Sequence, residues 1–515
     1  TVNALARHGA GAVDAAIVSL ATMEGEMVRF FHGPEASAQV AEDWVLVPAS
    51  TQVPLVAAMA RREPVIAANA AELAEWPLIA EESASLGLQA FVALPILDDD
   101  LELCAGLGVG FVEALEDRVV PRAVRWLLSL TADALRAAHR LEREKRHGRV
   151  LEQLVLPSRL DGQPKISVAG AYLSPSTSQR VGGDVYDVVS RPDGKLGVLI
   201  ADAVGHDLDA TRTAARLRHA VGLLTQQMRE PSDVLAQANR YVMISGHHRH
   251  ITASYSVIDP VDLTITTASA GHPAPLLVRG AAAMPMGPSG EPLLGLSDFE
   301  YSQTTADLKQ GDSVLSFTDG LVETRKRDFI EGEAELTAAV LKLTDGEAWS
   351  IVGALVGRTI SEDPDDDVAM LAVSVDGQGR SLSFGTSELR MSWPAQSLVL
   401  ADARLHLRHW LSAGGLSEIA GDAELVATEL LSNARAASPD GSEVEFWCRK
   451  ADSGIELKSI NHGLAFANEK NMPGPNQERQ RGLPIIERLC SNVQFERHLD
   501  RNVVTARLGA DLQHR

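Results

Sequence analysis

Four acidic sites between residues 184 and 367 share one placement. Asp184 sits in QRVGGDVYD (Gln179–Asp187), Asp202 closes LGVLIAD (Leu196–Asp202), Asp319 closes SVLSFTD (Ser313–Asp319), and Asp365-Asp366-Asp367 directly precede VAMLAVSV. Each carboxylate stands at the end of an apolar run or at the start of the next, and strand ends meet at the rim of a sheet. Carboxylates crowded at such a rim repel one another and resist removal from water. A divalent cation resolves that conflict, and an all-oxygen set with no His/Cys cluster beside it suits Mg²⁺ or Mn²⁺ rather than Zn²⁺. Two such ions can share a carboxylate, lower the pKa of a bridging water and clamp a phosphoryl group for in-line attack. Asp beside Gly is also ordinary turn chemistry for any one of these positions. The repetition speaks for a site: Gly182-Gly183 precede Asp184, Gly205 follows Asp202 and Gly320 follows Asp319, and each glycine lets backbone approach an ion closely.

The elements that must position these acids are mainly strands. Apolar runs at Ser167–Leu173, Leu196–Ala201, Thr252–Ile258, Leu263–Ala268, Ser313–Phe317 and Val368–Val375 are bounded by Gly, Pro and Asp turns. Two helices interrupt them, Ala210 to about Met228 and Ser232–Ile244, the second with Ser232 as N-cap after Pro231. Upstream, residues 1 to about 125 alternate helical patches with strand candidates at Ala15–Leu20, Gln89–Ile96 and Ala105–Val112. A long helix then begins at Arg122, with Leu127, Leu130, Ala134, Ala138 and Leu141 on one face, is interrupted at Gly148, and ends at Pro157. Its charge run mixes both signs and reads as a solvated face. Downstream, Asp376-Gly377-Gln378-Gly379-Arg380-Ser381 reads as a linker. The rest, from about Phe384 to Leu508, opens with a strand. It carries helices at Ser397–Ala413, Ala420–Ala437 and Leu483–Cys490, and strands at Glu443–Arg449, Gly454–Ile460 and Val503–Leu508, an α/β layer pattern.

Within that last region Glu429 and Asn433 are four residues apart and share a helix face. Such a pair can hold a water and a metal beside a nucleotide, or be simply solvated. The histidine-rich loop His247-His248-Arg249-His250 reads as solvated rather than ligating, and His206 and His272 as residues that hold turns.

Composition sets the outer bounds. With 515 residues the chain should hold about three domains. Lys and Arg number 47 against 69 Asp and Glu, a net charge of −22 that offers no field for a phosphate backbone, so nucleic acid is not expected as a partner. Cys104, Cys448 and Cys490 stand far apart, without disulfide-scaffold or zinc-module spacing, as in a reducing compartment. No apolar stretch is long enough to span a membrane and the N-terminus has no signal-peptide pattern, so a cytoplasmic protein is expected. The opening Thr1 suggests that the chain begins inside a longer one.

The ordered blocks VGGDVYD, ADAVGHD, ASAGHPAPLLV (Ala268–Val278), GDSVLSFTDGLVET (Gly311–Thr324) and DDDVAMLAV resemble the SpoIIE-like branch of the PPM metal-dependent serine/threonine phosphatases, over about Leu151 to Val375. The resemblance implies an α-β-β-α sandwich holding two Mn²⁺ or Mg²⁺ ions, with activated water attacking a phosphoserine or phosphothreonine of a protein. By motif position Asp202 would bridge both ions, the Ala203 carbonyl would be a further ligand, and Asp184, Asp319 and Asp366 would complete the set. The triple Asp leaves the register open; Asp366 is preferred because Asp367-Val368 then falls where the family strand begins. Two positions depart from the family pattern, Ala201 before Asp202 and Asp207 after His206, and both leave the carboxylate in place. Asp187 is implied as a supporting residue and Arg180 as a contact for the substrate phosphate.

The blocks ELVATELLSNARAAS (Glu424–Ser438), ELKSINHGLAF (Glu456–Phe466), RGLPIIERL (Arg481–Leu489) and NVVTARL (Asn502–Leu508) together resemble the GHKL ATPase fold of anti-sigma-factor serine kinases. That implies Glu429 as general base, Asn433 as Mg²⁺ ligand, and an ATP-Mg site completed by Asn461, Gly463 and Gly482. Asn461 stands where the family has Asp, and the glycines of the third block are reduced to Gly482, so kinase activity and a pure docking role stay open. Residues 1 to about 135 resemble a GAF sensor domain, on LPI (Leu94–Ile96) and GLGVGF (Gly106–Phe111), which implies an unknown small-molecule signal or a homodimer surface.

The expectation is therefore a multidomain α+β chain. It has a GAF-like sensor (1–135), a connecting helix (122–156), an α-β-β-α phosphatase sandwich (157–376) and a GHKL α/β two-layer domain (384–511). The function implied is dephosphorylation of a phosphorylated, STAS-type anti-sigma-factor antagonist in bacterial partner switching, with a sigma factor as a second partner. The alternatives are an anti-sigma-factor kinase with a vestigial phosphatase, or a non-catalytic scaffold.

Overall fold

The computed structural model describes residues 13–33, 45–98, 101–157, 159–160, 162–175, 182–205, 207–244, 249–343, 346–362, 364–451, 454–463, 482–498 and 501–509. Arg180, His206, His247 and His248 lie outside the described residues. The chain divides into two units, 1–146 and 147–515.

The first unit is built on a six-stranded antiparallel sheet in the order β3-β2-β1-β6-β5-β4. The strands are β1 (Ile17–Glu24), β2 (Met27–His32), β3 (Leu46–Pro48), β4 (Val65–Ala67), β5 (Ala90–Leu97) and β6 (Leu103–Phe111). Three of them fall where the apolar runs place them. Strand β6 explains the two faces of the sheet. Leu107 and Val109 point to a core shared with Val124, Leu127 and Leu135, whereas Gly106, Gly108 and Gly110 point the other way. On that glycine face Leu55, Met59, Phe91 and Leu88 lie directly on the strand, where a Cβ would stand 2.7–2.9 Å from them.

The connecting helix runs without a break from Arg122 to Val155. Gly148 does not interrupt it, because one glycine costs only about 1 kcal/mol in a helix of this length. The packed face also differs from the expected one. Leu127 and Leu135 are buried together with Val124, but Leu130 is 48% exposed.

The second unit holds two sheets. The smaller, in the order β14-β11-β10-β9-β8, comprises β8 (Asp184–Ser190), β9 (Leu196–Ala203), β10 (Ile251–Asp259), β11 (Thr264–Ala270) and β14 (Gln303–Asp307). The larger has eleven strands, in the order β13-β12-β15-β16-β7-β17-β18-β19-β20-β22-β21. Its first part is β7 (Ile166–Leu173), β12 (Leu276–Arg279), β13 (Ala282–Pro285), β15 (Ser313–Phe317) and β16 (Val368–Val375). Its second part is β17 (Ser381–Phe384), β18 (Glu388–Pro394), β19 (Glu443–Ala451), β20 (Gly454–Asn461), β21 (Asn492–Arg497) and β22 (Asn502–Gly509).

The first part of the large sheet packs face to face on the small one. Tyr172, Ala369 and Leu371 of the large sheet share a core with Val185, Leu199 and Tyr255 of the small one. Helices Leu208–Thr225 and Pro231–Ile244 cover the small sheet, and Ala348–Glu362 covers β7 and β16 of the large one, giving four layers. Pro231 is itself the first helical residue, as its fixed φ and missing N–H favour, rather than Ser232 acting as cap. The helices Phe329–Val340 and Ala348–Glu362 went unread in the sequence. The second is buried along Trp349, Ile351, Val352, Leu355 and Val356 and has little polar face to announce it.

Residues 376–381 are not a linker. Strand β17 pairs in parallel with β7, Ser381 opposite Val168, which joins the sheet of the sandwich to that of the C-terminal α/β layer. Arg380, 4% exposed, pairs with Glu347, Asp376 and Asp402 and lies 5.5 Å above the Trp349 ring. Trp349 also meets Trp393 and His406 across the join, each with ring centroids 5.3 Å apart. A Gly-Ser composition here marks tight turns at Gly377 and Gly379, both at positive φ, rather than slack chain.

Candidate metal centre

The acidic cluster forms where the two sheets of the sandwich meet at one rim. Strands β8 and β9 pair with Asp184 opposite Asp202. Strands β15 and β16 pair with Phe317 opposite Met370, which brings Asp319, two residues beyond Phe317, toward Asp366 and Asp367. Burial, then the neighbouring Asp319, Asp366 and Asp367 charges, push Asp202 up to about 6. Burial holds Asp184 well above the usual carboxylate range, with Asp202, Asp367 and Asp319 adding to it. Asp319 is raised by burial and then by Asp366. Five carboxylates from four sequence blocks therefore feel one another.

The triple Asp resolves by direction. Asp365 turns away, accepting the Arg325 backbone N–H at 2.9 Å and facing its guanidinium at 3.4 Å. Asp366 is exposed and accepts the Asp367 N–H at 2.8 Å. Asp367 is buried and takes the Tyr172 hydroxyl at 2.9 Å. Both Asp366 and Asp367 thus belong to the cluster.

The glycines matter through approach rather than turn type. A Cβ at Gly183 would overlap the Ala203 carbonyl oxygen and stand 3.1 Å from Asp202 Oδ1. A Cβ at Gly182 would overlap the Asp367 carboxylate, and one at Gly320 the Asp367 carbonyl. The rim is drawn in around its oxygens at three places that only glycine allows.

No group of three or more His, Cys, Asp or Glu side chains is gathered to a single point among the described residues. The oxygen-only donors, their mutual charge and the glycine cradle fit a pair of hard divalent ions.

Several residues that sequence reasoning passed over hold the cluster. Thr318 donates to Asp184 Oδ2 at 2.7 Å and accepts the Ala369 N–H at 2.9 Å. Tyr172, fully buried, accepts the Gly182 N–H at 2.9 Å. The available signal was a hydroxyl inside an otherwise apolar run. Asp187 does not reach the cluster; Arg218 binds it at 2.9 Å and also donates to the Leu154 and Leu156 carbonyls. His272 is buried, pushed down to about 3 by that burial, and bonded to Thr252 at 2.8 Å, so it is neutral and holds its turn. Arg249 pairs with Asp207, the cap of helix Leu208–Thr225, at 2.5 Å.

In the C-terminal layer, Glu429 and Asn433 lie half-buried on helix Ala420–Ala437. That helix packs on β20, whose last residue is Asn461. A Cβ at Gly463 would overlap the Ala437 carbonyl, and Asn502 donates to the Gly463 carbonyl at 3.0 Å. Asn461 is 1% exposed, and its amide nitrogen has no hydrogen-bond partner among the described residues. Gly482 opens helix Gly482–Leu489, and residues 464–481 lie outside the described residues.

In the first unit a half-open pocket of about 70 Å³ lies on the glycine face, lined by Phe30, Leu55 and Phe91, with Ser19 and His32 bonded to each other at 2.9 Å.

Comparison with known proteins matches the family model of stage II sporulation protein E (SpoIIE) to residues 192–376, and that of the histidine kinase-like ATPase domain to residues 394–508. Phosphoserine phosphatase RsbU of Bacillus subtilis (strain 168) is 24% identical over 240 residues, 46% of this chain and 65% of that protein. The chain thus spans a little under two thirds of that relative. The crystal structure of the RsbU and RsbW domains of Rv1364c from Mycobacterium tuberculosis is 22% identical, covering 69% of this chain and 96% of that one, with a TM-score of 0.39. The PP2C phosphatase domain and regulatory fragment of SpoIIE from Bacillus subtilis is 17% identical, covering 42% of this chain and 64% of that one, with a TM-score of 0.36.

Proposed function

We propose, on the match of residues 192–376 to the SpoIIE family model and of residues 394–508 to the histidine kinase-like ATPase model, that the chain is a metal-dependent phosphoserine/phosphothreonine protein phosphatase acting in partner-switching signalling. The observation that carries the reading is the convergence of Asp184, Asp202, Asp319, Asp366 and Asp367 on one rim, with Asp184, Asp202 and Asp319 held above the ordinary carboxylate range.

Asp202, central to the cluster, would bridge two Mn²⁺ or Mg²⁺ ions, with the Ala203 carbonyl, Asp184, Asp319 and Asp366 as further ligands; Asp367 would orient from below. Bound there, the ions supply a water of lowered pKa and neutralise phosphoryl charge. The chain's own part is to gather the carboxylates in one place, to keep the Ala203 carbonyl close through Gly183, and to leave Asp366 exposed for a protein-borne phosphate.

The proposed substrate is a phosphorylated anti-sigma-factor antagonist of STAS type, as the sequence resemblance implies. The C-terminal layer would bind ATP-Mg through Glu429, Asn433, Asn461, Gly463 and Gly482, and dock the antagonist or a sigma factor. The first unit would act as a GAF-like sensor whose cavity admits a small-molecule signal. No helix among the described residues is long and apolar enough to cross a membrane.

The test is loss of phosphate from a phosphoserine-bearing antagonist, followed on a phosphate-affinity gel. Dephosphorylation with Mn²⁺, none in EDTA, and none from a phosphotyrosine protein is the expected pattern. Metal-independent loss, or no loss under either metal, would overturn the reading.

A further inference from the structure

We propose that two buried hydroxyls, those of Tyr172 and Thr318, staple the two sheets of the sandwich together beneath the carboxylate cluster and thereby set its spacing for metal; the inference rests on the dinuclear reading above. Tyr172 belongs to β7 of the large sheet and is 0% exposed. Its hydroxyl accepts the N–H of Gly182, in the approach to β8 of the small sheet, at 2.9 Å. It donates to Asp367 Oδ1, at the head of β16 in the large sheet, also at 2.9 Å. Thr318 follows β15 of the large sheet and is likewise 0% exposed. Its hydroxyl accepts the N–H of Ala369 on β16 at 2.9 Å and donates to Asp184 Oδ2 on β8 at 2.7 Å.

The two arrangements are reciprocal. In one, an N–H leading into the small sheet bonds a hydroxyl that donates to a large-sheet carboxylate; in the other, a large-sheet N–H bonds a hydroxyl that donates to a small-sheet carboxylate. A hydroxyl can do this because it offers one donor and two acceptor sites. Burial keeps water from replacing either bond, so each link constrains its carboxylate in distance and direction. Asp184 and Asp367 come from opposite sheets, and the two hydroxyls tie each of them to the other sheet's backbone. Tyr172 and Thr318 are thus positioning residues, acting through the aspartates they hold.

The test uses the full chain and four variants: Tyr172→Phe, Thr318→Val, Thr318→Ser, and Ile351→Val as a core control remote from the rim. Mn²⁺ binding is followed through the electron paramagnetic resonance signal of the free ion, alongside thermal unfolding and amide exchange. Tyr172→Phe and Thr318→Val should each raise the half-saturating Mn²⁺ concentration about tenfold, equivalent to about 1.4 kcal/mol. Exchange at the Gly182 amide should quicken in the first and at Ala369 in the second. Thr318→Ser should restore the midpoint to within about twofold, since it keeps the hydroxyl. Ile351→Val should lower the melting temperature and leave the midpoint unmoved. Wild-type midpoints in Tyr172→Phe and Thr318→Val would overturn the staple while leaving the metal centre standing. Absence of Mn²⁺ binding in the wild type would overturn the metal reading and the staple with it.

Discussion

Replacing Gly183 by alanine puts a single methyl group where the rim is tightest. Its Cβ would overlap the Ala203 carbonyl oxygen and come within 3.1 Å of Asp202 Oδ1. Relief to ordinary contact requires the carbonyl to retreat by about 1 Å. That retreat is opposed on both sides, because Ala203 pairs with Ile251 of β10 and its N–H donates to the Gly183 carbonyl at 3.1 Å. The strain therefore falls on the proposed bridging carboxylate and its neighbouring carbonyl ligand. A misplacement of about 1 Å in such a site costs on the order of 10²-fold in rate. The assay is phosphate release at saturating Mn²⁺, with Gly222→Ala as reference. Gly222 lies in helix Leu208–Thr225 with nothing within 4 Å of its Cβ position, so alanine there should keep turnover and stabilise the fold by about 0.5–1 kcal/mol. Full turnover and full Mn²⁺ affinity in Gly183→Ala would refute the argument that close approach at this glycine builds the site.

Three further outcomes follow from the same geometry. Asp202 is raised to about 6 against about 3.9 in an unfolded chain, so the metal-free fold loses stability as pH rises from about 4 to 6; Asp202→Asn should stabilise the metal-free protein above pH 6 by about 1–3 kcal/mol and change little at pH 4, and equal effects at both pH values in thermal melts would contradict this. Arg380→Met leaves the Glu347, Asp376 and Asp402 carboxylates at the join uncompensated and should cost about 2–4 kcal/mol in urea unfolding, discounted because Glu347 and Asp402 are about one third exposed; a loss under 0.5 kcal/mol would show that the ion cluster does not hold the two layers. Asn461→Leu removes the orphaned amide and should weaken binding of an ATP analogue by about tenfold without affecting Mn²⁺-dependent turnover, as read by calorimetry; undiminished binding would place the nucleotide elsewhere.

The parts of the fold that could be read from sequence are those whose signal is local. Strands β15 and β16 and helix Ala420–Ala437 fall on the residues expected, because apolar runs and turn residues bound them tightly. The acidic positions were legible for the same reason, each standing at a strand end and three of the four sites being punctuated by glycine. What escaped was non-local. The parallel pairing of β17 with β7 joins residues more than two hundred positions apart, and a Gly-Ser stretch gives no hint that Arg380 is buried at its end. Helix Ala348–Glu362 is masked by its own burial between layers. The inward turn of Asp367 depends on Tyr172, nearly two hundred residues upstream, and no spacing rule reports such a contact. The reading of Asp187 failed because Arg218, itself unremarkable in sequence, claims that carboxylate.

The central claim is that this rim of aspartates holds divalent metal to remove phosphate from a protein serine. It is tested most directly by the time course of phosphate release from a phosphoserine-bearing antagonist, with and without Mn²⁺, for the wild type and Asp202→Asn. Release that needs Mn²⁺ in the wild type and falls at least about 10²-fold in the variant is the predicted result. Release by Asp202→Asn at the wild-type rate would contradict the account.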